Sequence, residues 1–351
     1  MAKAKQLPSG SWRVQVYAGK DENGKNIYKS FTAPTERKAN LMALEWQEHY
    51  KEIKRDSANL TVREAIDEYI KSLNNILSPS TIAGYRRIQK NHLKNLIDVK
   101  LSRLTEKMIN EEVNLESKLY APKTVYNAFG LLNTILKKYR PDFHYTVKLP
   151  TIYPTITKIP SDNDLRKIYA IAYGTEMELP ILLAAWLGLR VSEIRGLKRE
   201  NIKNGKVIIK SAIVEGENGA VKKGTKSRNS TRVLELPKYI EQRYKALVTD
   251  GREYITSLSG QAIYKRFVRI CEKAGVGPFR FHDLRHLNAT IMLEENVPDK
   301  YIAERGGWGT DIYKKRYEHI SINKMQSINE RIDRRFESII SHEISHDNQN
   351  N

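Results

Sequence analysis

Six side chains in the second half of the chain have types and spacings suited to breaking and remaking a phosphodiester: Arg190, Lys226, His282, Arg285, Trp308 and Tyr317. In Phe281-His282-Asp283-Leu284-Arg285-His286 a histidine precedes an arginine by three residues, a spacing that on a helix turns both toward one site. Arg190 stands upstream in Leu187-Gly188-Leu189-Arg190-Val191-Ser192-Glu193, and Tyr317 follows Trp308 by nine residues. Guanidiniums match a phosphate bidentately, and two of them with a lysine make a phenolate less costly, although a free phenol has a pKa of about 10. The chemistry these residues point to is attack of a tyrosine on phosphorus. Several alternatives stay open: Tyr313 as nucleophile, Lys222 or Lys223 in place of Lys226, and a simple ion pair of Arg190 with Glu193. His286 follows His282 by four residues, as a metal site would require, but no third ligand has supporting spacing.

The elements that must hold these side chains are legible from pattern. Ile181 to Leu189 reads as a buried helix broken at Gly188, with Ser192 able to cap a next helix from about Glu193; Arg190 falls in the joint. Lys206 to Val214 and Thr231 to Leu236 read as strands joined by a polar segment, a hairpin with Lys226 near its turn. A helix starts at His282-Asp283, and a short one opens at Pro298-Asp299 and ends at Gly306-Gly307, just before Trp308. From 323 to 340, Met325, Ile328, Ile332, Phe336 and Ile339 form an apolar stripe at steps of three or four, and the polar end 341–351 reads as a disordered tail.

The first half reads differently. Ser11 to Tyr17 alternates as a half-buried strand should, Asp21 to Lys25 is a turn, and Asn26 to Phe31 is the partner strand. Glu36 to Lys54 has helical periodicity, with Leu41, Leu44 and Trp46 expected inward. From Asn59 to about Arg140 the pattern is helical: Thr61 with Glu64 forms a capping box for a helix from Val62 to Leu73, and Ser78-Pro79-Ser80-Thr81 opens another. That second helix carries Arg86, Arg87, Lys90 and Lys94 at spacings that share a face and could grip phosphates. Tyr139 to Lys158, with Pro141, Pro150 and Pro154, reads as an extended tether between two basic domains that would close around a duplex.

A chain of 351 residues should hold two or three domains. Its 60 basic against 41 acidic residues give a formal net charge of +19, spread along the sequence, which favours a polyanionic partner. Nucleic acid fits better than an anionic membrane, because no basic amphipathic anchor or long apolar span is visible. The single Cys271 suits a reducing compartment, and the cytoplasm is the expected location.

The order Arg190, Lys226, His282-Asp283-Leu284-Arg285, Gly307-Trp308 and Tyr317 resembles the catalytic domain of the tyrosine recombinase, or phage integrase, family, in particular integrases of phages and conjugative transposons of Gram-positive bacteria. The resemblance implies a mixed, mainly α fold: an arm-type DNA-binding domain over 1–56, a helical core-binding domain over 57–140, a linker over 141–158, and an α+β catalytic domain with a β-hairpin over 159–340. It assigns Tyr317 the nucleophile, Arg190 and Arg285 the equatorial oxygens, and Lys226 the protonation of the leaving 5′ oxygen. Trp308 stands where many members have histidine; its indole can donate a hydrogen bond but cannot shuttle protons, so acid–base duty shifts toward His282 and Lys226. The sheet would enter a major groove with Arg13, Lys25 and Lys29, and the bundle would grip DNA with Ser80, Thr81, Arg86, Arg87, Lys90 and Lys94. The resemblance further implies no metal or other cofactor, and double-stranded DNA with core and arm sites as partner. A homotetramer on two synapsed sites, docking of the 323–340 helix in cis or in trans, and excision and DNA-bending accessory proteins complete the expectation. A type IB topoisomerase or a DNA-binding regulator that has lost activity are the alternatives.

Overall fold

The computed structural model describes residues 3–20, 25–57, 59–153, 158–224 and 231–308. The chain divides into two units, Met1–Thr155 with Glu215–Gly219 and Ile156–Val214 with Ala220–Asn351.

The first unit opens with an antiparallel sheet in the order β1 (Lys5–Gln6), β2 (Trp12–Lys20), β3 (Asn26–Ala33). Val14 pairs with Phe31 and Tyr17 with Tyr28. The alternation of β2 sends Val14, Val16 and Ala18 inward and leaves Arg13, Gln15 and Tyr17 on the open face. Helix α1 (Glu36–Ser57) covers the inner face with Ala39, Ala43 and Trp46, whose ring lies 5.8 Å from that of Phe31. Leu41, expected inward, is exposed, and Leu44 is only half-buried. The reason is closeness: at i and i+4 the small Ala39 and Ala43 let the helix approach the sheet, and the larger leucines fall to the side.

Helices α2 (Val62–Ser72), α3 (Pro79–Asn91), α4 (Glu106–Leu119) and α5 (Pro122–Tyr139) build a bundle around Ile66, Leu101, Ile109, Leu132 and Ile135. The capping box forms as the sequence predicts: Glu64 N–H donates to Thr61 Oγ1 at 3.2 Å, and Thr61 N–H donates to Glu64 Oε2 at 2.8 Å. Ser78 caps α3, which has Pro79 in its first turn. The stretch read as a tether is attached instead. Phe143, Tyr145, Val147 and Leu149 pack on the bundle core, and Arg140 donates to the carbonyls of Leu101 and Leu104 at 2.5 and 2.8 Å. Its apolar side chains at alternate positions made that outcome possible, while its prolines deny it a helix.

The second unit contains α6 (Asp162–Ala172), α7 (Glu178–Ala185), α8 (Val191–Gly196), β4 (Ile202–Lys203), β5 (Lys206–Ile209), β6 (Ser211–Gly216), β7 (Gly219–Gly224), β8 (Arg232–Glu235), α9 (Lys238–Leu247), α10 (Gly260–Ala274), α11 (Asp283–Glu294) and α12 (Asp299–Gly306). All eight residues of α7 are buried, its first residue Glu178 among them, as the otherwise wholly apolar sequence of this helix requires, with Ile181, Ile194, Val207, Phe267 and Leu284 in one core. Strands β4, β5 and β8 form one antiparallel sheet, and β6 and β7 a separate pair. The two predicted strands therefore do meet, Val207 against Leu234, but the segment between them holds its own hairpin with its turn between Gly216 and Gly219. Lys226 follows β7 in the sequence and lies outside the described residues.

Among the described residues, no helix is long and apolar enough to cross a membrane.

Candidate active site

The joint between α7 and α8 is where the sequence must leave helical geometry, and Gly188 lets it do so at φ +68°. A Cβ there would also meet Asn288 Oδ1 at 2.7 Å, so both backbone and space demand glycine. Arg190, and not Ser192, is the residue that precedes α8, with an extended backbone at φ −75° and ψ 152°. Its N–H donates to Glu193 Oε2 at 2.9 Å, and its Nη1 donates to Glu193 Oε1 at 2.6 Å. The ion pair weighed as the ordinary alternative thus forms, yet the Arg190 side chain keeps about a third of its surface exposed while Glu193 is buried.

Glu193 serves a second arginine. Arg232 lies on β8 in phase with the buried Leu234, so the strand's alternation turns it inward. Its Nη1 and Nη2 donate to Glu193 Oε1 and Oε2 at 3.2 and 2.9 Å. Burial alone would raise the Glu193 carboxyl, but the hydrogen bonds and charge of Arg232, then the charge of Arg190, hold it below the usual carboxylate range.

Arg285, on α11, is the largest fully buried side chain among the described residues. It donates from Nη1 to the Gly188 carbonyl and from Nη2 to the Gly306 carbonyl, and its guanidinium carbon lies 4.2 Å from the Trp308 ring centroid. The position of that indole depends on Gly306, where any Cβ would collide with the Trp308 ring.

The end of α12 ties these arginines together. Gly307, at φ +63°, closes the helix: Trp308 N–H donates to Ala303 O at 2.9 Å and Gly307 N–H to Glu304 O at 3.2 Å. The three following carbonyls lack helical donors and would be orphaned. Each accepts a different guanidinium: Arg305 O from Arg232 Nε at 2.7 Å, Gly306 O from Arg285 Nη2 at 2.5 Å, and Gly307 O from Arg190 Nη2 at 2.8 Å. The negative end of the helix suits three cations, and the cations are in turn aimed by it.

His282 directly precedes α11, exposed, with its ring 4.8 Å from that of the buried His286 and nearly perpendicular to it. Asp283 in the first turn binds Arg280, accepting its N–H at 2.7 Å. Among the described residues no three His, Cys, Asp or Glu side chains converge as a metal ion would need. Arg190, Arg285 and Trp308 are thus brought together at the end of α12, and His282 stands three residues before Arg285 at the start of α11, whereas Lys226, Tyr313 and Tyr317 lie outside the described residues, as does the 323–340 stripe.

The candidate DNA-binding residues divide. Arg87 and Lys90 are exposed on α3. Arg86 instead faces Asp67 and Gln89, and Lys94 lies past the helix end, donating from Nζ to Lys90 O at 2.5 Å. Chain geometry explains the loss of the shared face: α3 stops at Asn91 and Leu93 takes φ +56°. Ser80 and Thr81 hydroxyls lie 3.0 and 2.8 Å from Ser78 Oγ, in the cap of α3. Arg13 lies on the open face of the sheet and Lys25 is exposed before β3, but Lys29 pairs with the inward Val16 and its Nζ lies 5.3 Å from the Trp46 ring.

Residues 161–324 match the model of the phage integrase family. The chain is 26% identical to the tyrosine recombinase XerC-like protein of Caldanaerobacter subterraneus subsp. tengcongensis, over 91% of this chain and 96% of that one. Its fold is similar to the Tn1549 transposon integrase in complex with transposon right end DNA, with a TM-score of 0.62 at 15% identity over 78% of this chain and 100% of the other. It is also similar to a lambda integrase tetramer bound to a Holliday junction, with a TM-score of 0.55 at 18% identity over 88% of this chain and 95% of the other. Residues 161–324 thus carry a domain of the phage integrase family.

Proposed function

We propose that this chain is a site-specific DNA recombinase that integrates and excises a mobile element, cutting and rejoining strands through a 3′-phosphotyrosine and a Holliday junction. The observation that carries the site assignment is the convergence of Arg190, Arg285 and Trp308 at the end of α12, directly before the run that leads to Tyr317. Tyr317 attacks the scissile phosphorus. Arg190 and Arg285 neutralise the equatorial oxygens as charge builds, exchanging carbonyl acceptors for phosphate, and the Trp308 indole adds a donor. Lys226 protonates the departing 5′ oxygen, with His282 at hand for proton transfer. The bond energy stays in the phosphotyrosine, so a 5′ hydroxyl from a partner strand reverses the step without ATP.

The partner is double-stranded DNA, read at core sites by the bundle and the catalytic unit and at arm sites by the first sheet. A tetramer synapses two sites in the bacterial cytoplasm, with excision and DNA-bending proteins setting direction; the fold's likeness to a lambda integrase tetramer bound to a Holliday junction supports this assembly. A nicked duplex carrying the element's junction tests the reading, because the nick traps the covalent product. An adduct mapped to Tyr317 and lost in Tyr317→Phe is the expected result. An adduct at Tyr313 would move the nucleophile, and none on the genuine junction would sink the recombinase reading.

A further inference from the structure

The Arg232 side chain is only 7% exposed, yet it holds two parts of the site at once. Its fork binds both oxygens of Glu193, and its Nε binds the carbonyl of Arg305. We propose that Arg232 is a positioning residue for strand cleavage, which takes up the negative charge of Glu193 so that Arg190 keeps its own positive charge for the scissile phosphate. The inference rests on the recombinase reading above.

The argument is one of charge and geometry. Glu193 accepts Arg190 Nη1 at 2.6 Å, and by itself that contact is a closed neutral pair with little attraction left for an anion. Arg232 adds a second cation to the same buried carboxylate, so two guanidiniums face one negative charge and the cluster carries one net positive charge. The two arginines differ in access. The Arg232 side chain is 7% exposed and that of Arg190 34%, so the uncompensated charge resides on the arginine a phosphate can reach. Arg232 also fixes the Arg305 carbonyl, next to the Gly306 and Gly307 carbonyls that aim Arg285 and Arg190. Its planar fork supplies three donors in fixed directions, which a lysine cannot copy.

The test uses the full chain and a nicked duplex selected from a randomised library by adduct formation with the unchanged protein. Cleavage rate and duplex affinity are measured separately. Arg232→Met should slow adduct formation about 100-fold while changing duplex affinity less than about 3-fold, because the charge matters most as the phosphorane forms. Arg232→Lys, which keeps charge without the fork, should fall between. The decisive variant is Arg232→Met with Glu193→Gln, which leaves no uncompensated carboxylate and keeps an acceptor for Arg190. It should recover at least about 10-fold over Arg232→Met alone. If the single Met variant fails to fold, the folded double variant is read against the unchanged protein, within about 10-fold of which it should cleave. Wild-type cleavage by Arg232→Met, or a folded double variant that is as slow as the single one or inactive, would overturn the proposal. Failure of the unchanged protein to select any duplex with an adduct at Tyr317 would instead overturn the recombinase reading on which it rests.

Discussion

The cations at the end of α12 and those along α3 differ in what holds them. Arg190, Arg232 and Arg285 donate to buried carbonyls and one buried carboxylate, so their directions are set before any substrate arrives. Arg87 and Lys90 stand exposed on a helix that is itself firmly placed. The turn after α3 is pinned by Glu116, which accepts Leu93 N–H at 2.6 Å and lies 3.1 Å from His92 Nδ1, and by Glu112, which accepts Asn95 Nδ2–H at 2.7 Å. Charge developing on a reacting phosphate is stabilised by donors that need not reorganise. Gripping a DNA backbone only requires cations that displace counterions, and these lose little by staying solvated.

The largest test of the contrast is Arg285→Lys. Conserving the charge should not conserve the chemistry, because an ammonium cannot bind the Gly188 and Gly306 carbonyls and a phosphate with fixed geometry. Adduct formation should fall about 10³-fold with duplex binding nearly intact. Near-normal cleavage would show that fixed direction is not what separates the two regions.

A buried pair away from the site sharpens the comparison. Glu178 accepts Arg243 Nε and Nη2 at 2.5 and 2.9 Å, Gly174 N–H at 2.6 Å and Tyr169 O–H at 2.8 Å. Burial works against its charge, yet the bonds from Arg243, Gly174 and Tyr169 hold its carboxyl below the usual range. Such a depressed carboxyl contributes stability that is complete above its unfolded pKa of about 4.3 and is lost as pH falls through the lower folded value. Glu178→Gln should cost about 3 kcal/mol in urea unfolding at neutral pH. It should also flatten the acid side of the stability profile and leave the cleavage rate per folded molecule unchanged. A slowed rate in folded protein would mean that this pair, too, serves the chemistry.

The smallest effect belongs to α3. Arg87→Ala and Lys90→Ala should each weaken duplex binding about equally on any sequence and lower the salt slope by about one, with bound complexes cleaving at the original rate. Sequence-dependent losses would place these side chains on base edges instead.

Legibility in the sequence followed from how local each signal is. The Thr61–Glu64 capping box, the alternation of β2 and the Gly306-Gly307 stop of α12 depend on neighbours within a few residues, and all appear where the sequence places them. Arg86 was readable as a basic residue on α3, but its partner Asp67 comes from another helix. The inward side of α1 was misread at Leu41 because the sheet selects small side chains for close approach, a matter of distance and not of hydrophobicity. Arg232 could have been noticed, since it falls in phase with Leu234 in an alternating strand, where a charged residue needs a buried partner.

By itself the sequence determined the types and order of these side chains, the start of α11 and the stop of α12 beside them, and the excess of positive charge that favours a polyanionic partner. Tertiary structure alone decided that three arginines from three separate elements take the carbonyls of Arg305, Gly306 and Gly307 in turn. The physical reason is that a helix leaves its last carbonyls without donors whatever the sequence, and only the packing of distant segments determines which donors reach them.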